Sequence, residues 1–246
     1  MRNALAGIVT LEVVPPACSF RKGFMYPITL LTLGALLAAA CSSSKSSTTA
    51  PSPVVPVRKI VALGDSLTSG FGLPENQAYP AQLQNMLRAN GLPFDVLNFG
   101  VSGDTTAGGV GRIQAALDER PAILILALGA NDGIRGIPVA QVRSNLEVII
   151  QAAQAKNVKI LLCGMEALPI YGLQYTIEFH EIFPSLAARY NLPLVPFLLR
   201  NVLGNQAMLQ SDFVHPNAEG AAEIVRTIWP YLLPLAREAA TAVTYV

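Results

Sequence analysis

The chain has 246 residues, of which 52% are hydrophobic and 13% charged, and its formal net charge is +1. This composition suits one well-cored domain together with a segment that is unusually apolar. It offers no broad basic surface, and no cluster of Lys and Arg is interleaved with aromatic residues, so we expect no nucleic-acid partner.

The apolar segment lies near the N-terminus, at residues 26–40, and carries no charge. Its apolar core at residues 28–40 has 13 residues, fewer than the roughly 20 that a membrane-spanning helix needs. Arg21 and Lys22 precede it and small residues end it, a pattern typical of a secretory signal. We therefore assign residues 1–40 to a signal region, with Met25 as an alternative start.

The end of this segment, residues 37–41 (LAAAC), resembles the lipobox of bacterial lipoproteins, although Ala38 stands where leucine is usual. The resemblance implies that Cys41 is lipidated, becomes the mature N-terminus and associates with a membrane. The alternative is an ordinary signal that ends in A-x-A before an incidental cysteine. Ser42 stands where an Asp would resemble an inner-membrane retention signal, so we expect export to the periplasm and anchoring to the outer membrane.

The next segment, residues 42–57, is rich in Ser, Thr and Pro and too poor in apolar side chains to pack. Residues 41–57 are therefore interpreted as the lipidated cysteine and a tether. The remaining residues 58–246 are enough for one domain. Cys163 is the single cysteine of that domain, so no disulfide can form within it, and we expect a buried thiol rather than a nucleophile.

The domain alternates short apolar runs with segments of helical period. Strand-like runs occupy residues 59–63, 95–99, 122–128, 159–163 and 194–197. Tyr79, Leu83, Met86 and Leu87 are spaced as on one face of a helix, and residues 142–153 follow the same rule. Strands that alternate with helices predict βαβ units and a parallel sheet that is buried on both faces.

Ligand sites of such sheets lie outside the carboxyl ends of the strands. Ser66 follows the first predicted strand, and Asp212 and His215 precede the last predicted helix. A serine hydroxyl becomes a good nucleophile when an imidazole accepts its proton and a carboxylate orients that imidazole. Because Asp212 lies three residues before His215, one turn can bring its carboxylate to Nδ1 and leave Nε2 facing Ser66.

Acyl transfer also needs hydrogen-bond donors for the oxyanion that develops in the transition state. Gly103 and Asn131 follow the second and third predicted strands. We expect three oxyanion donors at this edge: the backbone N–H groups of Ser66 and Gly103 and the side-chain amide of Asn131. Glycine at position 103 suits a backbone that substrate approaches closely.

Other common sites are absent from the sequence. There is no H-E-x-x-H motif and no paired Cys/His spacing, and the glycines around Gly103 do not form a phosphate-binding motif. We therefore expect no metal and no cofactor. The second histidine, His180, lies on a helical stretch beside Glu178 and Glu181, and we interpret it as a surface residue.

Four blocks resemble those of the SGNH (GDSL) hydrolase family: Gly-Asp-Ser66-Leu, Gly103, Gly-Ala-Asn131-Asp and Asp212-x-x-His215. Longer strings at residues 70–76, 102–109 and 131–136 are similar to its thioesterase I/lysophospholipase L1/arylesterase branch. The resemblance runs over residues 59–235. It implies a flavodoxin-like three-layer α/β/α sandwich whose five-stranded parallel sheet has the order 2-1-3-4-5. It also implies a nucleophile at Ser66, a base at His215 with Asp212, and oxyanion donors at Ser66, Gly103 and Asn131.

The leading hypothesis is a serine esterase that hydrolyses carboxylic esters or thioesters through an acyl-enzyme. Aryl esters, acyl-CoA and lysophospholipids are the small-molecule substrates that the resemblance implies. One alternative is a carbohydrate O-deacetylase of the same fold, and an alternative of another class is a non-catalytic lipid-binding lipoprotein. We expect a monomer.

An acyl-binding surface is expected after the fourth predicted strand. Residues 165–175 (MEALPIYGLQY) are apolar and aromatic, which favours an acyl chain over a sugar. Leu168, Ile170 and Leu173 are the residues that we expect to bind it.

Overall fold

The computed structural model describes residues 57–241. The predicted signal region, Cys41 and the tether up to residue 56 lie outside the described residues. The strands are β1 (Arg58–Gly64), β2 (Phe94–Gly100), β3 (Ile123–Ala127), β4 (Lys159–Cys163) and β5 (Leu194–Val195). The helices are α1 (Ser66–Ser69), α2 (Tyr79–Ala89), α3 (Thr106–Asp118), α4 (Ala130–Arg135), α5 (Val139–Ala155), α6 (Leu173–His180), α7 (Ile182–Tyr190) and α8 (Ala218–Thr241).

The strands form one parallel sheet in the order β2-β1-β3-β4-β5. Helices α2 and α8 pack together on one face, and α3, α5 and α7 pack on the other. This arrangement confirms the predicted three-layer α/β/α sandwich and its strand order. Crossover connections bury both faces of such a sheet, and every residue of β3 is accordingly buried.

The helices on the two faces place their predicted apolar stripes against the sheet. On α2, Tyr79, Leu83 and Leu87 are buried and Met86 is partly buried. On α5 the buried residues recur with the same helical period; they are Val142, Leu146, Ile149, Ile150 and Ala153. The helical periodicity of the sequence therefore identified the core-facing side of both helices.

The fifth strand is shorter than predicted: it ends at Val195 and not at residue 197. Only Leu194 and Val195 pair with β4. Pro196 has no backbone N–H to continue the ladder, which explains the early end. Within residues 57–241, no helix has both the length and the apolar character needed to cross a membrane.

Candidate active site

Ser66 lies at a tight turn from β1 into α1. The strand ends at Gly64, and Asp65 caps the helix by accepting a hydrogen bond from the Leu67 N–H at 3.0 Å. A Cβ on Gly64 would lie 1.9 Å from the Thr68 hydroxyl, so only glycine fits where the helix folds back over the strand. The turn therefore places the Ser66 side chain at the carboxyl edge of the sheet and its N–H at the start of a helix.

His215 and Asp212 occupy one short loop before α8. Both the Val214 and His215 N–H groups donate to Asp212 Oδ1 at 3.0 Å, and Asp212 Oδ2 lies 2.7 Å from His215 Nδ1. These bonds from the His215 backbone and ring and from Val214 lower the pKa of Asp212 to about 2. The carboxylate is therefore ionised at neutral pH and accepts a hydrogen bond from the Nδ1–H group of His215.

The other ring nitrogen of His215 reaches the serine. Nε2 lies 3.0 Å from Ser66 Oγ, although the two residues are 149 positions apart in the chain. The Phe71 ring lies against the imidazole, with ring centroids 4.6 Å apart. The three sequence-predicted residues thus form one continuous hydrogen-bonded relay from carboxylate to imidazole to hydroxyl.

Gly103 lies in the loop after β2 with φ +80°, a left-handed conformation that favours glycine. A Cβ built there would meet only Arg135 Nη2, at 3.7 Å, so within the protein the backbone conformation, rather than crowding, calls for glycine. Arg135 donates a 2.8 Å hydrogen bond to the Gly103 carbonyl. Arg135 is the last residue of α4, which also carries Asn131, so the two predicted oxyanion donors are tied to one helix.

Asn131 contacts Asp65, a residue to which we assigned no role from the sequence. Its Nδ2 donates to Asp65 Oδ2 at 3.3 Å, across 66 positions of the chain. Asp65 is fully buried, and burial raises its pKa to about 6, against the opposing effect of these hydrogen bonds. Asp65 therefore connects the turn of Ser66 to the amide of Asn131. Its position beside Ser66 in the Gly-Asp-Ser block was the available signal.

The predicted acyl-binding residues lie on the loop after β4 and at the start of α6, and they are exposed. Leu168 is 51% exposed, Ile170 67% and Leu173 72%. The crevice that Ser66 itself lines measures only about 10 Å³, the room of one water molecule. An acyl chain would therefore have to lie on an open surface rather than in that crevice.

The remaining predicted titratable residues lie outside this relay. His180 is an exposed residue whose Nδ1 lies 2.7 Å from Glu166 Oε1. Cys163 is buried and free, as expected, and burial raises its thiol pKa. Among residues 57–241, no group of three His, Cys, Asp or Glu side chains is arranged to hold a metal ion.

Known proteins are similar to this chain in sequence and in fold. The model of the GDSL-like lipase/acylhydrolase family matches residues 62–223. The esterase TesA of Pseudomonas aeruginosa is 39% identical over 177 residues, which cover 72% of this chain and 88% of that protein. Thioesterase 1/protease 1/lysophospholipase L1 of Escherichia coli is 33% identical over 72% of this chain and 84% of its own. The crystal structure of AlinE4, an SGNH-hydrolase family esterase, aligns with a TM-score of 0.62 and 42% identity over 73% of this chain and 96% of its own.

The fold and the site together define a hydrolase of ester bonds. The family model covers residues 62–223, which is most of the domain. The chain belongs to the GDSL-like lipase/acylhydrolase family.

Proposed function

We propose that the protein is a serine esterase in which Ser66 is the nucleophile and forms an acyl-enzyme. The observation that carries the proposal is the relay from Asp212 through His215 to Ser66, with separations of 2.7 and 3.0 Å. Both separations are within the range for direct proton transfer along hydrogen bonds. The relay opens onto the sheet edge at which parallel α/β folds bind their ligands.

In the first half-reaction, Ser66 Oγ bonds to the carbonyl carbon of the substrate while its proton passes to His215 Nε2. The imidazolium that results is stabilised by the ionised Asp212. The tetrahedral intermediate then collapses as the bond from carbon to the leaving oxygen or sulfur breaks. His215 returns the proton to that leaving group, which departs as an alcohol or thiol.

The oxyanion of the tetrahedral intermediate is held by the Ser66 and Gly103 N–H groups and the Asn131 amide. Asp65 accepts one N–H of that amide, which leaves the second N–H to face the substrate. Donors fixed before the reaction are effective because little reorganisation is needed in the transition state.

In the second half-reaction a water molecule takes the place of the alcohol. His215 accepts a proton from water, the hydroxide attacks the acyl carbon, and the acid is released as Ser66 recovers its proton. None of these steps needs a metal or a cofactor.

The proposed substrates are small-molecule acyl esters and thioesters, including aryl esters, acyl-CoA and lysophospholipids. Support comes from the names of the relatives, which describe an esterase and a thioesterase/lysophospholipase. The exposed apolar side chains of Leu168, Ile170 and Leu173 offer an acyl chain a surface at the same sheet edge. We propose that these three residues bind it.

A fluorophosphonate probe tests the nucleophile, because it forms a covalent bond with an activated serine. Wild-type protein should be labelled at Ser66 in a peptide digest, and Ser66→Ala protein should not. Labelling that persists in Ser66→Ala would assign the nucleophile elsewhere. A panel of p-nitrophenyl acetate to decanoate, lysophosphatidylcholine, acyl-CoA and acetylxylan then separates the substrate classes; hydrolysis of acetylxylan alone would favour a carbohydrate O-deacetylase.

We also propose that the protein is exported and anchored to the outer membrane through lipidated Cys41. Support comes from the sequence at residues 37–41 (LAAAC), which resembles a lipobox, and from Ser42, which stands where an Asp would resemble an inner-membrane retention signal.

Membrane fractionation with palmitate labelling tests the anchor. Wild-type protein should be labelled and found in the membrane fraction, and Cys41→Ala protein should be unlabelled. Unlabelled, fully soluble wild-type protein would overturn the proposed lipidation and support the ordinary signal instead. Analytical ultracentrifugation of the domain beginning at Val57 tests the expected monomer.

A further inference from the structure

Helix α4 carries Asn131 but is only six residues long. So short a helix has little stability of its own and depends on the contacts around it. Its C-terminal end also leaves carbonyl groups without partners inside the helix. Whatever binds these carbonyls and packs on the helix determines where the Asn131 amide points.

Two tyrosine hydroxyls bind carbonyls at this end. Tyr171 Oη donates to the Ile134 carbonyl at 2.9 Å. Tyr175 Oη donates to the Ile137 carbonyl at 2.9 Å and lies 3.4 Å from the Asp132 carbonyl. Tyr171 thus binds a carbonyl in the last turn of α4, and Tyr175 binds the segment just after the helix while also contacting the Asp132 carbonyl within it.

The same tyrosines begin a row of four aromatic rings that continues through α6 into α7. Neighbouring ring centroids are 5.5, 5.8 and 6.0 Å apart, in the order Tyr171, Tyr175, Phe179 and Phe183. Such spacings fall within the favourable range for aromatic pairs. We call these four residues the aromatic row.

Three glycines at α4 lie against this row. A Cβ on Gly129 would come within 3.1 Å of the Phe183 ring, and one on Gly133 within 3.3 Å of the Phe179 ring. On Gly136 it would come within 2.7 Å of the Tyr171 ring. The rings therefore pack directly on the backbone of the helix and its two ends.

We propose that Tyr171 and Tyr175 are positioning residues that act through Asn131, because they bind and pack the helix that aims its amide at the oxyanion. The inference rests on the proposed function, in which Asn131 is an oxyanion donor. Loss of either hydroxyl removes a hydrogen bond that holds the end of α4 or the segment just after it, and lets the helix end shift. Since misplacement of a catalytic group by about 1 Å can cost up to roughly 10²-fold in rate, we expect a smaller shift to cost about tenfold.

The experiment is a double-mutant cycle on purified protein with p-nitrophenyl butyrate as substrate. In the wild-type background, Tyr175→Phe should lower kcat about tenfold with little change in KM, and Tyr171→Phe should lower it less, because Tyr171 is half-exposed. In the Asn131→Ala background, Tyr175→Phe should change kcat by less than about twofold, because its effect passes through the missing amide.

Tyr190→Phe is the matched control. The Tyr190 hydroxyl is likewise hydrogen-bonded, here as the acceptor from Gln151 Nε2 at 2.8 Å, but this bond joins α5 to α7 away from α4. The kcat of the Tyr190→Phe enzyme should equal that of wild type. Thermal unfolding of each variant shows whether the fold is retained. Gly133→Ala is a second variant. Its Cβ would lie 3.2 Å from the Ala167 Cβ. The substitution should therefore displace α4 without removing a tyrosine hydroxyl.

Three outcomes overturn the inference. The first is a Tyr175→Phe enzyme with wild-type kcat. The second is a Tyr175→Phe substitution that lowers kcat by the same factor in the Asn131→Ala background as in the wild-type background. The third is an Asn131→Ala enzyme with unchanged kcat, which removes the donor through which the tyrosines act. Fluorophosphonate labelling of Ser66 separates these results from failure of the proposed function, because labelling would persist in all three.

Discussion

The two sides of the active site are held in place by different means. On one side, Asp212 and His215 lie in a single loop, where Asp212 binds the Val214 and His215 N–H groups and the imidazole of His215. On the other side, Asn131 lies on α4, which depends on Asp65 from another loop and on the aromatic row from α6 and α7. The Asp212–His215 part of the relay is thus built from local bonds, and the oxyanion side from contacts between distant segments.

This difference determines how each side should respond to substitution. A local loop that supplies its own hydrogen bonds can lose one side chain without disturbing the rest of the fold. A short helix held by several distant residues can be displaced by changes that never touch substrate. Substitutions in the relay should therefore cause the largest losses of kcat, whereas substitutions around α4 should lower kcat by smaller amounts.

The largest effect is expected from the relay. Ser66→Ala and His215→Ala should each reduce kcat by at least about 10⁴, because relay members act as a unit and each deletion disables the whole. Thermal unfolding should be nearly unchanged, since Ser66 and the His215 ring lie at the sheet edge. Initial rates with p-nitrophenyl butyrate measure the loss. Activity within tenfold of wild type for Ser66→Ala would refute its role as nucleophile.

A smaller loss is expected for Asp212→Asn. The amide still fills the loop but no longer stabilises the imidazolium, so kcat should fall by roughly 10²–10⁴ and by less than in Ser66→Ala. Rates of the two variants should be compared in the same assay. If Asp212→Asn proved the more damaging change, the order of roles along the relay would be wrong.

The next largest loss of kcat is expected from substitution of the oxyanion donor Asn131. Asn131→Ala should lower kcat by about 10²–10³ with little change in KM, because its amide binds an oxygen that is charged only in the transition state. Steady-state kinetics over a full range of substrate concentrations separate the two parameters. A change confined to KM would instead place Asn131 in ground-state binding.

The sequence was sufficient for the relay because its signals are local. Asp212 and His215 are three positions apart in the loop before the last helix, and Ser66 follows a recognisable buried strand, so each half of the relay has a short signal in the sequence. The alternation of strands and helices predicts a parallel sheet, whereas its order 2-1-3-4-5 was implied by the resemblance to the SGNH hydrolase family and is confirmed by the structure. The helical spacing of the buried residues on α2 and α5 likewise needs no tertiary information.

The supports of α4 could not be predicted in this way. Asp65 and Asn131 are 66 positions apart, and nothing in the sequence pairs a buried carboxylate with that amide. The tyrosines at positions 171 and 175 resemble any aromatic residues of an apolar loop until the fold brings them to the end of α4. From the sequence we predicted an acyl surface at residues 165–175, and this stays a prediction; the structure adds that Tyr171 donates to Ile134 in α4 and Tyr175 to Ile137 just after it.

Asp65 provides a pH-dependent test of this long-range connection. Its pKa is raised from 3.8 to about 6 by burial, so the folded protein keeps the Asp65 proton at pH values where the unfolded chain has lost it. This group therefore lowers stability as pH rises from about 4 to above 6, by up to about 3 kcal/mol. Asp65→Asn lacks that titration, so its stability relative to wild type should increase over the same pH range.

Urea unfolding of both proteins at pH 4.5 and pH 7.5 measures this change, because contributions common to the two proteins cancel. A difference in unfolding free energy that is the same at both pH values would mean that Asp65 does not titrate as proposed. The variant should also lose kcat, since an amide nitrogen at position 65 cannot accept the hydrogen bond from Asn131. A stability difference that shifts in favour of the variant between pH 4.5 and pH 7.5, together with a loss in rate, is expected when a buried ionisable group serves the active site.

The smallest effect is expected at the exposed loop, where the proposed acyl surface meets substrate. Each methylene that is fully buried contributes about 0.8 kcal/mol, or roughly fourfold in kcat/KM, and an open surface buries each one only in part. Leu168→Asn and Ile170→Asn should therefore lower kcat/KM for p-nitrophenyl decanoate by a few-fold and leave that for acetate unchanged. Val148→Asn is the matched control, because Val148 is 45% exposed but lies on α5. A chain-length profile that is unchanged in both loop variants would place the acyl chain elsewhere. In that case the main contribution of the loop to catalysis would be the support that its two tyrosines give to α4. Substitution of those tyrosines would then lower kcat, whereas substitution of the exposed leucine and isoleucine would not.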